Sequence, residues 1–318
     1  MQLGDIKKIS VIGAGTMGHG IGLTYALRGY RVALNHPREA TLGNAMRHIR
    51  NELKTLAENG LIAPDMIEAT LSRIATATDL KEAVKEADFV TEAVREDVEV
   101  KKKVFRDLDI LCSEHTILAS NTSALLLKDI ASQCRRRDKA VITHWVNPPY
   151  LVPLVEVVRG EETSDETVAL ACNLLKKIKK VPVIINREVP GFILNRLQTA
   201  LMREVWSLWQ QGVASAEDID QVMKASLGFR WAAIGPLEAA DLGGLDIFYN
   251  VTSRLLKVIS DSREPPEEFK KMVEAGKLGL KSGQGFFNYD ASYFEAGEAE
   301  SVRTRDEKHI QLLKLWYS

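Results

Sequence analysis

Apolar residues along the first part of the chain fall into two alternating patterns. Short continuous runs come first: Ile9-Ser10-Val11-Ile12, Arg31-Val32-Ala33-Leu34, Asp88-Phe89-Val90-Thr91-Glu92, Thr116-Ile117-Leu118-Ala119-Ser120, Ala140-Val141-Ile142-Thr143 and Val181-Pro182-Val183-Ile184-Ile185. Segments of helical periodicity, roughly 10 to 20 residues long, separate most of them. One such helix runs through Ala45, Ile49 and Leu53 to about Asn59-Gly60, with Pro37 suited to its first turn. Another opens at Ala63-Pro64-Asp65. Continuous apolar strands joined by crossover helices predict a doubly wound, mostly parallel sheet covered on both faces, an α/β Rossmann domain.

Beyond Arg187-Glu188-Val189-Pro190-Gly191 the strand-like runs stop. Ile193, Leu197, Leu201, Val205 and Leu208 form a helical stripe, and helix-like patterns recur to about Met272. The expected division is therefore a Rossmann domain over 1–187 and an all-α C-terminal domain over 188–318. The tail from Ser301, with Ile310, Leu313 and Leu315 on one face, reads as a final amphipathic helix packing on the body.

Composition narrows the class. The chain has 318 residues, 45% hydrophobic and 27% charged, with a formal net charge of -1. That balance offers no electrostatic footprint for nucleic acid or an anionic membrane. No apolar run reaches the roughly 18 residues that a membrane span needs, and the polar start Met1–Lys8 does not resemble a signal peptide. Cys112, Cys134 and Cys172 are widely separated, without metal-ligand spacing, so a reduced cytoplasmic setting and no metal are expected.

Val11-Ile12-Gly13-Ala14-Gly15-Thr16-Met17-Gly18 follows the first strand and opens a helix, the context that gives a Gly-x-Gly-x-x-Gly loop its meaning. Gly13 allows the tight turn, Gly15 allows backbone approach to a pyrophosphate, and Gly18 allows close helix–strand packing. The helix start at Thr16 and Met17 adds free amides and a favourable dipole. A carboxylate ending the second strand would select NAD, but this chain has Asn35-His36-Pro37-Arg38. Arg38, with His36, can meet a 2′-phosphate, while Asn35 or His36 can equally bond a ribose hydroxyl. NAD and NADP both stay open.

Among six histidines, His144 stands apart. It ends an apolar run that should emerge at the carboxyl edge of the sheet, where ligands bind in open α/β folds. Asn147-Pro148-Pro149 then forces an irregular turn. Glu156, on the next apolar run, can bond the far ring nitrogen and so set the tautomer of a general base.

Several segments together resemble the 3-hydroxyacyl-CoA dehydrogenase family: Gly13–Gly18, Glu92-Ala93-Val94-Arg95-Glu96, Ser120-Asn121-Thr122-Ser123, His144–Asn147 with Glu156, Pro190–Arg196, and Lys281-Ser282-Gly283-Gln284-Gly285-Phe286. The resemblance implies oxidation of a hydroxyl β to a carboxyl or thioester. It implies that His144 takes the hydroxyl proton and that Glu156 orients it. Ser123 and Asn195 would bond substrate oxygens, and Glu96, Lys101 and Asn147, together with Ser123, would border the nicotinamide and its ribose. It also implies a homodimer. The segment Leu227-Gly228-Phe229-Arg230-Trp231, with Asn147-Pro148-Pro149-Tyr150, departs from the acyl-CoA enzymes. It is more similar to the branch that includes L-gulonate 3-dehydrogenase with lambda-crystallin, L-carnitine dehydrogenase and a pyridine-carboxylate dehydrogenase. Arg230 could clamp a carboxylate there, or pair with Glu238 or Asp241 and never meet substrate. Free 3-hydroxy acid and CoA thioester, including a strict hydroxybutyryl-CoA enzyme, both remain candidate substrates. The crystallin connection leaves a non-catalytic packing or binding role as the alternative from another class.

Overall fold

The computed structural model describes residues 1–289 and 300–317, and the apolar runs pair within it into one eight-stranded sheet. The strands are β1 (Lys8–Ile12), β2 (Arg31–Asn35), β3 (Ile74–Ala77), β4 (Phe89–Glu92), β5 (Ile117–Ser120), β6 (Ala140–Trp145), β7 (Leu154–Val158) and β8 (Val181–Ile185). Their order is β3-β2-β1-β4-β5-β6-β7-β8, with every pair parallel except β6 and β7. Helices α1 (Gly18–Leu27), α2 (Glu39–Glu58), α3 (Met66–Leu71), α4 (Leu80–Val84), α5 (Val98–Leu111), α6 (Leu127–Ile130) and α7 (Asp165–Lys177) make the connections. Two buried apolar clusters result, one holding Ile9, Ile21 and Trp145, the other Phe105, Leu118 and Phe192. The order reverses between β1 and β4, so the crevice outside the carboxyl ends of these strands is where an open sheet receives a ligand.

Local details follow from residue chemistry. Helix α2 ends at Asn59, and Gly60 takes the left-handed conformation (φ +71°) that stops it. Asp97 and Ser164 cap α5 and α7 by accepting from the backbone amides of Val100 and Thr167. Pro37 lies just ahead of α2, which starts at Glu39, and not in its first turn as expected. Strand β3 carries no strand signature in the sequence, because Ile74-Ala75-Thr76-Ala77 is half exposed at the sheet edge and lacks a continuous apolar run.

The chain divides into two compact units, Met1–Ile193 with Gly297–Ser318, and Leu194–Ala296. The break falls six residues beyond the expected 187/188 boundary. The C-terminal helix Glu300–Tyr317 joins the first unit, so 188–318 is not one domain: this helix buries Ile310 in the core around α2. The second unit is mainly helical in its described part, with α8 (Leu194–Gln210), α9 (Ala216–Met223), α10 (Phe229–Trp231), α11 (Pro236–Gly243), α12 (Leu245–Leu255) and α13 (Glu267–Glu274), and two isolated antiparallel bridges at Gly279–Gln284 and Gln284–Asn288. Trp206, Phe269, Phe286 and Trp209 stack in a chain, with ring centroids 5.0 to 5.8 Å apart.

Candidate active site

The glycine loop is shaped for close backbone approach. Gly13 has φ +105°, and a Cβ there would lie 2.5 Å from the Ala93 carbonyl oxygen at the end of β4. A Cβ on Gly18 would strike the Gly13 carbonyl at 1.7 Å. At Gly15, by contrast, nothing lies within 4 Å of an added Cβ, and Gly15 and Thr16 are exposed. The packing glycines are thus crowded while the central one faces open space, the arrangement that a diphosphate requires. The loop residues therefore fit a dinucleotide. When bound, the nicotinamide supplies the hydride acceptor; the chain's own residues supply everything else.

His19, one residue past the loop, is tied from both ring nitrogens. Nδ1 bonds the Gly15 carbonyl at 2.8 Å and Nε2 bonds Glu52 at 2.9 Å. Burial pushes the imidazole pKa down, but the Glu52 bond and charge, with the Gly15 carbonyl, raise it above the ordinary value. His48 stacks on the His19 ring, with centroids 5.3 Å apart.

At the adenosine end, the Asn35 amide group donates to the Ala77 carbonyl at 2.9 Å, so it serves the fold. His36 Nδ1 accepts from the Arg38 backbone amide at 3.1 Å, which places the ring proton on Nε2. Arg38 is exposed and makes no ion pair among the described residues.

Under the crevice lies a buried charged pillar. Glu92 is fully buried and accepts from the Val94 amide (2.7 Å), the Lys101 ammonium (2.7 Å) and the Ser120 hydroxyl (2.6 Å). Lys101 is buried as well and reaches Glu96 at 3.4 Å. Lys101, expected to border the cofactor, is 1% exposed and holds Glu96 through this ion pair. Glu96 accepts from the Thr122 hydroxyl and from the amides of Ser123 (2.9 Å) and Ala124 (3.2 Å). Partial burial raises the Glu96 carboxyl, but Thr122, the Lys101 charge and the two amides outweigh it and hold the group below the usual carboxylate range. The turn bearing exposed Ser123 is thereby fixed.

Beside it, antiparallel β6 and β7 place His144 and Glu156 directly opposite each other in register. His144 Nδ1 lies 2.7 Å from Glu156 Oε2, both side chains being buried. A carboxylate can only accept, so Nδ1 carries the proton and Nε2 is left with a lone pair. The second carboxylate oxygen accepts from the Ile193 amide at 3.0 Å. Gly191 (φ +76°) and Phe192 (φ +50°) make that turn; a bulky side chain adopts such a φ only where its surroundings impose it, and Phe192 is fully buried with its ring 5.5 Å from His144. The Asn121 side chain accepts from the Trp145 amide at 2.9 Å, linking the Ser123 turn to the histidine strand. Exposed Asn147 follows. The first unit thus brings together the glycine loop, Glu96, Ser123, His144, Asn147 and Glu156. Asn195, on α8, and Arg230, on α10, belong to the second unit.

Lys180 is a further buried group without a sequence signal. Its ammonium donates to the carbonyls of Pro149 (2.6 Å) and Val152 (2.7 Å) and lies over the Trp145 ring. Burial, with the charge of Arg28, lowers its pKa to about 7. A neutral amine still has two N–H donors for two carbonyls. The unfolded chain binds more protons than the folded one between about pH 7 and the ordinary lysine range, so stability should rise across that window. Below about pH 7 the full penalty applies. Denaturant midpoints at pH 7 and pH 9.5 test this: the rise should shrink in Lys180→Met, and an unchanged pH slope would contradict it.

A family model for the 3-hydroxyacyl-CoA dehydrogenase NAD-binding domain matches residues 8–189, and one for the C-terminal domain matches 191–289. The chain belongs to the 3-hydroxyacyl-CoA dehydrogenase family. It is similar to 5-formyl-3-hydroxy-2-methylpyridine 4-carboxylate 5-dehydrogenase of Mesorhizobium japonicum, 34% identical over 94% of this chain and 96% of the relative. A probable 3-hydroxybutyryl-CoA dehydrogenase of Bacillus subtilis is 37% identical over 90% and 98%, and the human lambda-crystallin homolog is 36% identical over 83% of each. Among solved structures, one of the pyridine-carboxylate 5-dehydrogenase, described as an NAD+ dependent dismutase, superposes with a TM-score of 0.86, at 32% identity over 98% and 97% of the chains. The (S)-3-hydroxybutyryl-CoA dehydrogenase of Ralstonia eutropha gives 0.72, at 33% identity over 90% and 100%. As a member of this 3-hydroxyacyl-CoA dehydrogenase family, the chain is an NAD-dependent oxidoreductase acting on the CH–OH group of a 3-hydroxyacyl-CoA or 3-hydroxy acid. Among the described residues, no helix is long and apolar enough to cross a membrane.

Proposed function

We propose that the substrate is a free 3-hydroxy carboxylic acid and that Arg230 holds its carboxylate. The observation that carries this is an exposed guanidinium making no ion pair or hydrogen bond among the described residues, with neither Glu238 nor Asp241 taking it up. It follows a single π-helical turn, Lys224–Gly228, a feature that often marks functional positions. A thioester has no charge for such a clamp. The near full-length similarity to a dehydrogenase of a pyridine carboxylate agrees with this reading.

Within it, His144 Nε2 takes the hydroxyl proton as the carbon gives up its hydride, and Glu156 stabilises the resulting imidazolium. Ser123 and Asn195 hydrogen-bond the substrate oxygen as it becomes a carbonyl. Glu96 and Asn147 border the nicotinamide ribose, with Lys101 acting through Glu96. NAD is the main cofactor. His36 Nε2–H and Arg38 also accommodate a 2′-phosphate, so NADP is used less efficiently but measurably. Leu237, Leu242 and Phe229, each more than 70% exposed on the helical unit, support a homodimer. Three free cysteines, with burial pushing Cys112 to about 11 and Cys134 to about 12, fit a reducing cytoplasmic setting.

Steady-state oxidation of L-gulonate, L-carnitine, 3-hydroxybutyrate and L-3-hydroxybutyryl-CoA, each with NAD and NADP, tests the proposal. Turnover on an acid should exceed turnover on the thioester. Arg230→Met should raise KM for that acid by about ten- to a hundredfold, the loss of hydrogen bonds to a charged group. An unchanged KM, or turnover on the thioester alone, would remove the clamp.

A further inference from the structure

The loop after the catalytic strand, Asn147–Val152, is held at one point from outside the family-matched region. Pro148, Pro149 and Pro153 have no amide to donate, so this loop cannot be secured by a strand ladder. Long-range side-chain contacts hold it, the Thr24 hydroxyl donating to the Pro149 carbonyl at 3.5 Å among them. Lys180 caps two of its carbonyls, and the Tyr150 hydroxyl donates to Asp306 Oδ2 at 2.6 Å across 156 residues of sequence. Asp306 sits in the C-terminal helix Glu300–Tyr317, beyond residue 289 where the family match ends. It is 5% exposed, and its other oxygen accepts from Arg305 at 2.7 Å.

A carboxylate that deep costs stability unless its oxygens are satisfied, and an apolar residue would serve a merely packing helix better. Its partner is specific: Tyr150 lies three residues past Asn147 and six past His144. The same loop touches the cofactor helix, since a Cβ on Gly20 would lie 2.7 Å from Pro149. Glu52, whose charge reaches Tyr150, also bonds His19, which bonds the glycine loop. The C-terminal helix and the cofactor helix therefore both meet the histidine loop, the first at Tyr150 and the second at Pro149.

We infer that the C-terminal helix is a positioning element of the active site, with Asp306 acting through Tyr150 to fix the Asn147–Val152 loop against the cofactor helix. Asp306 and Tyr150 touch no reacting atom in this assignment. The inference rests on His144 and Glu156 being the catalytic pair.

The test is a turnover cycle on the full chain with Tyr150→Phe, Asp306→Ala and the double variant, using whichever acid or thioester the wild type oxidises, beside thermal midpoints. Each single variant should lower kcat roughly five- to tenfold with KM changed less than twofold, and the double variant should lose no more than a single one, because both remove one bond. Deleting residues 297–318 should reproduce the same kcat loss if the remainder folds; the point variants decide the matter if it does not. A lowered midpoint with kcat unchanged would reduce the helix to a packing role and overturn the inference, as would strictly multiplicative losses. A near-normal His144→Gln would instead defeat the catalytic pair itself, so the two failures are distinguishable.

Discussion

His144→Gln is expected to lower kcat by about 10² or more, the usual yield of a positioned general base. Glutamine keeps a donor for Glu156 and approximates the size of imidazole, so the buried carboxylate stays paired and the fold should survive. What disappears is the lone pair on Nε2. The defect should therefore appear in kcat, with cofactor binding, followed by reduced-nicotinamide fluorescence, nearly unchanged. Glu156→Gln should give a smaller loss: Oε1 can still accept from the Ile193 amide, but the imidazolium loses its counter-charge. Turnover within a fewfold of wild type in His144→Gln would take the histidine out of the mechanism.

Lys101→Met should destabilise the protein by about 3–5 kcal/mol, the range for breaking a buried ion pair on one side. At 2–4 °C per kcal/mol for a chain of this size, the thermal midpoint should fall by roughly 10 °C. The reason is Glu92, which sits wholly inside the sheet beside Lys101. Burial already pushes the Glu92 carboxyl up against the pull of Lys101, Ser120 and Val94. Without the ammonium it rises further, and Glu92 folds only by keeping a proton. A raised carboxyl contributes stability below its unfolded value and loses it as pH climbs through the folded one, so the deficit should grow from pH 5 to pH 8. Adding Glu92→Gln should recover part of the loss by removing the stranded charge. Equal midpoints for wild type and Lys101→Met would show that the pair carries no structural load.

Lys101 also shows where sequence reading stops. Its place near Glu96 followed from the family resemblance, yet nothing along the chain says that its charge faces down toward Glu92. Nine residues of strand, turn and helix must fold before the two meet. The glycine loop, the β–α alternation and the His144 strand were readable because each is a local pattern: apolar runs, helical periodicity and glycines at fixed offsets depend on neighbours within a few positions. Glu156 was readable as a partner because it lies on the next apolar run, twelve residues on, although its antiparallel register was not.

The amino-acid order alone thus determined the nucleotide-binding half, its motif and the identity of the candidate base, since local backbone preference and hydrophobic period decide those. Tertiary structure decided the rest. It reversed β7 against β6, placed β3 at the edge, returned the C-terminal helix to the first unit, and brought Lys180 and Asp306 to the histidine loop. These are contacts between residues far apart in the chain, set by which buried polar groups could find partners once the core had closed.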